Sequence, residues 1–238
     1  MTILKLSSLC RWLCGNTHLT KKESSFNNFN LALHVEDEQS SVIANRELLG
    51  SHYNLPSIPK WIKQTHSSIC IDASSISSIV EADASYSKIP RIVCGVLTAD
   101  CLPVFVSNKQ GTIVGIAHAG WRGLVGGVIE SLIESIGSKE KDLLVHLGPA
   151  ISKFSFEIGT EVKSQYLSKN EKFKRSFAEV NAKYYLDLYD AARVVLEGCG
   201  IKAISGGVDC TYKETEKYFS YRRDGNNSGR MAHLIWME

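Results

Sequence analysis

The sequence predicts an α/β class, one domain over residues 1–238 with a mixed sheet covered by helices. Three observations carry this reading. Apolar runs of strand length fill the middle of the chain, a segment with three-and-four apolar spacing follows, and strand-like and helix-like segments then alternate.

The segment Lys60-Trp-Ile-Lys-Gln-Thr65 alternates in part and is read as a strand ending at His66. Arg91–Leu97 is largely apolar, as a strand covered on both faces is. Val104–Val106 and Thr112–Ala117 are two more strands, separated by the turn-forming 107–111. Leu124, Val125, Val128, Ile129, Leu132, Ile133 and Ile136 then share one helical face, with Gly137 as C-cap, which predicts a continuous helix. Leu143–Leu147 returns to strand and stops at Gly148-Pro149. Helices follow over Glu161–Ser168 and Leu186–Glu197, the second closed by Gly198 and Gly200. Ile201–Ser205 and Leu234–Trp236 read as short strands. Arg46 is placed on a helix and Arg122 at the start of one. Met1–Gly15 is read as an edge strand rather than a signal peptide, because Ser7, Ser8 and Arg11 interrupt its leucines.

Composition narrows the partners. Hydrophobic residues are 44% and charged residues 22%, an ordinary globular balance. A net charge of +2 is too small to point to nucleic acid or an anionic membrane surface. No apolar run approaches the roughly 18 residues that span a bilayer. The 7 cysteines are odd in number and form no Cys-x-x-Cys pair, which favours a reduced, cytoplasmic protein over a disulfide framework. No repeat is visible, and the Ser-rich 73–78 is too short to be a linker between domains.

His66, Cys101 and His118 each fall at the end of a predicted strand or in the turn after it. Side chains converge there with open space above them. Two imidazoles and a thiolate suit zinc, and three protein ligands leave the fourth position for a reactant, the mark of a catalytic site. A metal so held lowers the pKa of bound water towards about 7. The competing reading makes Cys101 a small buried hydrophobe and each His a strand-end cap. Spacing alone leaves both open. A second constellation, Phe219-Ser-Tyr-Arg-Arg-Asp-Gly225 followed by Ser228-Gly-Arg230, suits a phosphate or another planar anion, because guanidinium presents paired donors. Its bland counterpart is a solvated turn with Arg222 paired to Asp224. Gly-x-Gly-x-x-Gly, Walker, Gly-x-Ser-x-Gly and His-Glu-x-x-His motifs are all missing.

The segments Asn30-Leu31 with Asn45-Arg46, Trp61–His66, Ala82-Asp-Ala84, Thr98-Ala-Asp-Cys-Leu-Pro103 and Ala117-His-Ala-Gly-Trp-Arg-Gly123 resemble the YfiH-like, laccase-domain family. So do Leu147-Gly-Pro-Ala150, Phe156-Glu-Ile-Gly159, Cys210-Thr-Tyr212, Phe219–Asp224 and Gly229-Arg-Met-Ala232, in family order from about residue 26 onward. The resemblance implies one α/β domain with zinc ligands at His66, Cys101 and His118. It also implies purine nucleoside chemistry: phosphorolysis of adenosine, inosine or methylthioadenosine, and deamination of adenosine. On this reading Asp100 carries the proton, Arg222 and Arg223 hold phosphate with Arg46, and Asn30 and Tyr221 border the nucleoside. The chain departs from the family at its start, where Cys14-Gly-Asn-Thr-His-Leu-Thr20 replaces an Arg-x-Gly-Gly loop and 21–25 has no counterpart.

Two alternatives stand beside this. Copper-dependent polyphenol oxidation, an older description of the family, uses two His and one Cys in a blue-copper centre. The chain's 7 His include no His-x-His pair, which speaks against a four-copper cluster. A non-catalytic, zinc-stabilised binding module would need a fourth protein ligand, for which His146 and Cys210 are the nearest candidates.

Overall fold

The computed structural model describes residues 3–5, 9–14 and 29–238. In chain order come β1 (Ile3–Lys5), β2 (Cys10–Cys14), α1 (Gln39–His52), β3 (Cys70–Asp72) and β4 (Ala84–Ser87). Strands β5 (Cys94–Thr98), β6 (Leu102–Asn108) and β7 (Val114–Ala119) lead into α2 (Trp121–Gly126) and α3 (Val128–Ile136). The second half holds β8 (Leu143–Leu147), β9 (Glu157–Ile158), α4 (Thr160–Lys169), β10 (Phe177–Val180) and β11 (Lys183–Leu186). It ends with α5 (Leu188–Gly198), β12 (Ile204–Gly206), α6 (Tyr221–Asp224) and β13 (Met231–Met237).

Six strands in the order β12-β8-β6-β7-β4-β3 form the central sheet. It is mixed: β12 runs parallel to β8 and β3 to β4, while the remaining pairs are antiparallel. A second, antiparallel sheet, β1-β2-β13-β5, packs on one face of it. Along β6 the strand alternation sends Val104 and Val106 into the core beneath α3 and α5, and Phe105 into the core shared with β5 and β13. Strands β5 and β13 are covered on their far side too, where Leu97, Leu234 and Trp236 meet Leu49 of α1. Burial on both faces is why these strands are nearly continuous apolar runs.

Several expected elements differ in detail. The continuous helix is two helices, because Gly127 takes a left-handed φ of 100° between α2 and α3. Gly137, at φ 68°, closes α3 as expected. The expected strand at 60–65 is reduced to two isolated bridges, Lys60 with Cys94 and Lys63 with Glu81. A side chain, not a strand ladder, ties the segment to β5. Gln64 both donates to Leu97 O and accepts from Leu97 N, at 2.7 Å each. β5 starts at Cys94, since 88–91 is a turn with Arg91 at φ 66°. Of the opening segment, β1 lies at the edge of its sheet and β2 inside it. The divergent stretch at 15–25 lies outside the described residues. The sheet β10-β11-β9 was not anticipated; its hairpin turns on Asn181 and Ala182, both with positive φ.

Candidate metal centre

The loop between β5 and β6 carries Cys101, the bridged segment before β3 carries His66, and His118 sits within β7. His118 is therefore inside its strand, not just beyond it. One donor atom from each lies within 4.8 Å of the others. Cys101 Sγ is 4.0 Å from His66 Nε2, and the two imidazole centroids are 4.9 Å apart at 67°. Burial is graded: His118 is buried, Cys101 partly so, and His66 exposed. The trio thus reaches from the core to solvent.

Asp83, fully buried immediately before β4, fixes both imidazole-bearing segments. Its Oδ1 accepts from His118 Nδ1 at 2.7 Å and from His66 N at 3.1 Å. Its Oδ2 accepts from Thr65 N at 3.1 Å, Ser67 N at 2.6 Å and Ser67 Oγ at 2.7 Å. Engaging Nδ1 commits His118 to presenting Nε2 to a metal. The same contacts hold His66 at φ 59°, a left-handed conformation a histidine adopts only when its surroundings dictate it. Burial alone would push the Asp83 carboxyl up, but the bonds from His118 and Ser67 outweigh it and bring it to about 2.

Burial also pushes the Cys101 thiol up, yet His118 and His66 beside it more than reverse this and bring it down to about 6. The His118 imidazole moves the opposite way: burial lowers its pKa, and the thiolate and Asp83 raise it further than burial lowers it. Both shifts favour a thiolate beside a protonated imidazole, an arrangement in which a cation can take the place of that proton. Gly120 completes the cradle. A Cβ there would lie 2.8 Å from Cys101 Sγ and 2.9 Å from His66 Cδ2. The donor set, its shared carboxylate and this cleared space fit a divalent ion of zinc type. Among the described residues no further His, Cys, Asp or Glu joins the cluster. His146 instead stacks on Trp12 at 4.0 Å, and Cys210 is taken by Ser152 Oγ at 2.9 Å. Neither serves as a fourth ligand.

The trio opens into a cleft of about 720 Å³, large enough for a ligand of drug or cofactor size. Asp100, Tyr221 and Arg222 line it with the trio, and so do His34, Gln64, Arg122, Phe156, Asn226 and Arg230. Arg230 lies over the Tyr221 ring at 5.4 Å and Arg222 over Phe156 at 5.1 Å.

Three residues expected in the site serve as scaffold. Arg223, expected to hold phosphate, spends its guanidinium on the carbonyls of Thr211, Tyr212 and Tyr218 and on Asp224. The turn pairing expected for Arg222 therefore belongs to Arg223. Arg46 stacks over Trp61 at 4.7 Å and donates Nε to Leu31 O, and it is not among the residues that line the cleft. Asn30 is buried, bonded to both Ala32 and Asp37, and accepts from Arg230 N at 2.9 Å. Asp100 has both carboxylate oxygens engaged, by Thr211 Oγ1 and Arg222 N. Sequence reasoning gave no role to Asp83, Gln64 or His34. The first two lie inside quoted motifs, but only three-dimensional contacts reveal their work.

Residues 15–238 match the family model described as multi-copper polyphenol oxidoreductase laccase. The chain is 42% identical over 213 residues to an Escherichia coli protein named purine nucleoside phosphorylase YfiH, covering 89% of this chain and 87% of that one. It is 43% identical to a Haemophilus influenzae purine nucleoside phosphorylase, covering 88% and 87%. The crystal structure of a Neisseria meningitidis protein superposes with a TM-score of 0.94 at 34% identity, over 100% of this chain and 98% of that one. Bacillus licheniformis YfiH superposes at 0.88 and 26% identity, over 96% and 93%. With the motifs, the mixed sheet and the His/Cys/His trio agreeing, the chain belongs to the YfiH-like, laccase-domain family.

Proposed function

We propose that this protein processes purine nucleosides, by phosphorolysis of adenosine, inosine or methylthioadenosine and by deamination of adenosine. One observation carries the reading: a single cleft is lined both by the His66, Cys101 and His118 trio and by the guanidinium-bearing Arg222 and Arg230. The names of the Escherichia coli and Haemophilus influenzae relatives support it. Zinc held by the trio would supply a Lewis-acidic centre with an open position.

The chain's own residues supply the rest. Arg222 and Arg230 hold phosphate through charge-assisted hydrogen bonds, Arg230 standing where Arg223 was expected. Each also gives one guanidinium nitrogen to backbone carbonyls, Arg222 to Glu157 and Arg230 to Ser228 and Gly229, and keeps its other donors for the anion. Each is backed by an aromatic ring, which limits its freedom. Tyr221 borders the base, with its hydroxyl 3.3 Å from Asn226 Oδ1. In phosphorolysis a phosphate oxygen bonds to the ribose anomeric carbon as the glycosidic C–N bond breaks, and the purine leaves with that electron pair and takes up a proton. Fixed donors around the phosphate favour this by holding the nucleophile in place. A reduced, cytoplasmic setting accompanies the proposal, consistent with the free thiols of Cys70, Cys94, Cys101 and Cys210. No helix among the described residues is long and apolar enough to cross a membrane.

The test is product chromatography with metal analysis, on wild type beside Cys101→Ala. Adenosine with phosphate should give adenine and ribose 1-phosphate, and adenosine without phosphate should give inosine. Neither product above a metal-stripped control would end the proposal. The family description favours a second reading, copper-dependent phenol oxidation. An intense thiolate-to-copper absorption in protein as purified from cells would support it.

A further inference from the structure

We infer that Asp100 is a positioning residue, tying the loop that bears Cys101 to the short helix that bears Tyr221 and Arg222 and so setting the anion-binding wall of the cleft. The inference rests on the nucleoside reading of that cleft and replaces the proton-carrying role expected for Asp100.

Asp100 sits at φ 85°, outside the regions a residue with a side chain ordinarily occupies. Such a conformation persists where the surroundings over-determine it. Here three anchors do so. Ile151 N donates to the Asp100 carbonyl at 3.0 Å. Thr211 Oγ1 donates to Oδ1 and Arg222 N donates to Oδ2, each at 2.6 Å. All three partners are remote in sequence, and Asp100 is only 8% exposed.

The wall needs such an anchor. Helix α6 has 4 residues, too few to stand as a helix alone. Arg223 gathers the carbonyls of Thr211, Tyr212 and Tyr218, making the 211–224 segment a knot tied within itself. The Asp100 carboxylate fastens that knot to the loop that carries Cys101, at the backbone amide of Arg222, whose side chain lines the cleft. A carboxylate accepting at both oxygens from fixed donors is placed to hold, not to exchange a proton with a substrate.

Substitution separates the two roles. In Asp100→Asn the amide oxygen can face Arg222 N, which only donates, and the amide nitrogen can face Thr211 Oγ1, which can also accept. Position is largely kept, whereas proton transfer by a carboxyl group is lost. Asp100→Ala loses both anchors. The experiment compares wild type, Asp100→Ala, Asp100→Asn and Thr211→Val for metal per chain, backbone amide exchange at Arg222, and KM for inorganic phosphate with adenosine. We expect Asp100→Ala to retain its metal, to exchange the Arg222 amide faster, and to raise the phosphate KM by roughly tenfold or more. Asp100→Asn should recover most of both losses, and Thr211→Val should shift KM the same way by less. Equal loss of kcat in the Ala and Asn variants, with Arg222 amide protection unchanged, would overturn the inference and restore the proton carrier. If wild type turns over no nucleoside, the proposed function fails, and amide exchange at Arg222 still decides the positioning role.

Discussion

Asp83 Oδ1 lies 2.7 Å from His118 Nδ1, and the same buried carboxylate receives the amides of Thr65, His66 and Ser67. The segments that bear two of the three clustered side chains are thus set by one carboxylate. Asp83→Asn should bind zinc about 10 to 100-fold more weakly, the usual effect of losing a partner behind a metal-bound histidine. Competition against a chromophoric chelator measures it, and unchanged affinity would show that His118 needs no orienting group.

Gly120 is the second test of the site's construction. Because a Cβ there would lie 2.8 Å from Cys101 Sγ and 2.9 Å from His66 Cδ2, Gly120→Ala should displace the thiolate or the imidazole. Metal binding should weaken at least about tenfold, an effect on the scale of losing ligand orientation. Far-UV circular dichroism should be unchanged, since Gly120 has an ordinary φ of −65°.

Chelation should leave the protein folded. Its cores are built from apolar residues of the two sheets and the helices, and the trio lies at the edge of a cleft. A structural zinc domain unfolds when stripped, whereas this one should keep a cooperative thermal transition and lose product formation. Its midpoint should fall only by the linkage owed to a bound ion.

Acid should destabilise the fold through His233. Burial pulls this imidazole, 2.8 Å from Thr98 Oγ1, down to about 3. The unfolded chain takes up a proton near pH 6.5 that the folded chain refuses until about pH 3, so stability is full above pH 6.5 and drains away as pH falls through that window. The limiting slope is about 1.4 kcal/mol per pH unit from this residue. His146, which burial lowers to about 4, adds to it in the same direction. Urea midpoints at pH 7 and pH 5 should differ in wild type and differ less in His233→Gln.

The hairpin between β10 and β11 turns on Asn181 at φ 50° and Ala182 at φ 58°. Asparagine tolerates that region and alanine does not. Ala182→Gly should therefore stabilise the protein by about 0.5 kcal/mol, the strain relieved less the added freedom of the unfolded chain. A lower urea midpoint would show that the turn is not strained.

Where burial is two-sided, the sequence was transparent. Cys94–Thr98, Leu102–Asn108 and Met231–Met237 are buried throughout, and their apolar runs announced them. Leu143–Leu147 and the helices at 160–169 and 188–198 came through for the same periodic reason. Periodicity misled where side chains stand in for neighbours: Asp83 takes the amides of 65–67 that a partner strand would otherwise have paired, and Gln64 ties the segment to the backbone of Leu97. It also concealed the break at Gly127, since Leu124, Val128, Ile129, Leu132 and Ile136 remain buried on either side of it. That His66, Cys101 and His118 cluster was foreseeable because their side chains are chemically conspicuous, although His118 lies within β7 and His66 in no strand. The arginines were harder to assign. Arg223 and Arg222 are adjacent in sequence and both donate to carbonyls, and only their places in three dimensions show that Arg223 braces the segment while Arg222 lines the cleft.

Strand β13 pairs Met231 with Thr98 on one side and Leu234 with Leu13 on the other. A nascent or truncated polypeptide ending before residue 231 would leave β2 and β5 as two open, apolar edges, the kind of template on which unrelated chains add and aggregate. Such long-range pairing also slows folding, because the loop must close before its contacts form. Loss of the final strand should thus yield insoluble material instead of a trimmed enzyme.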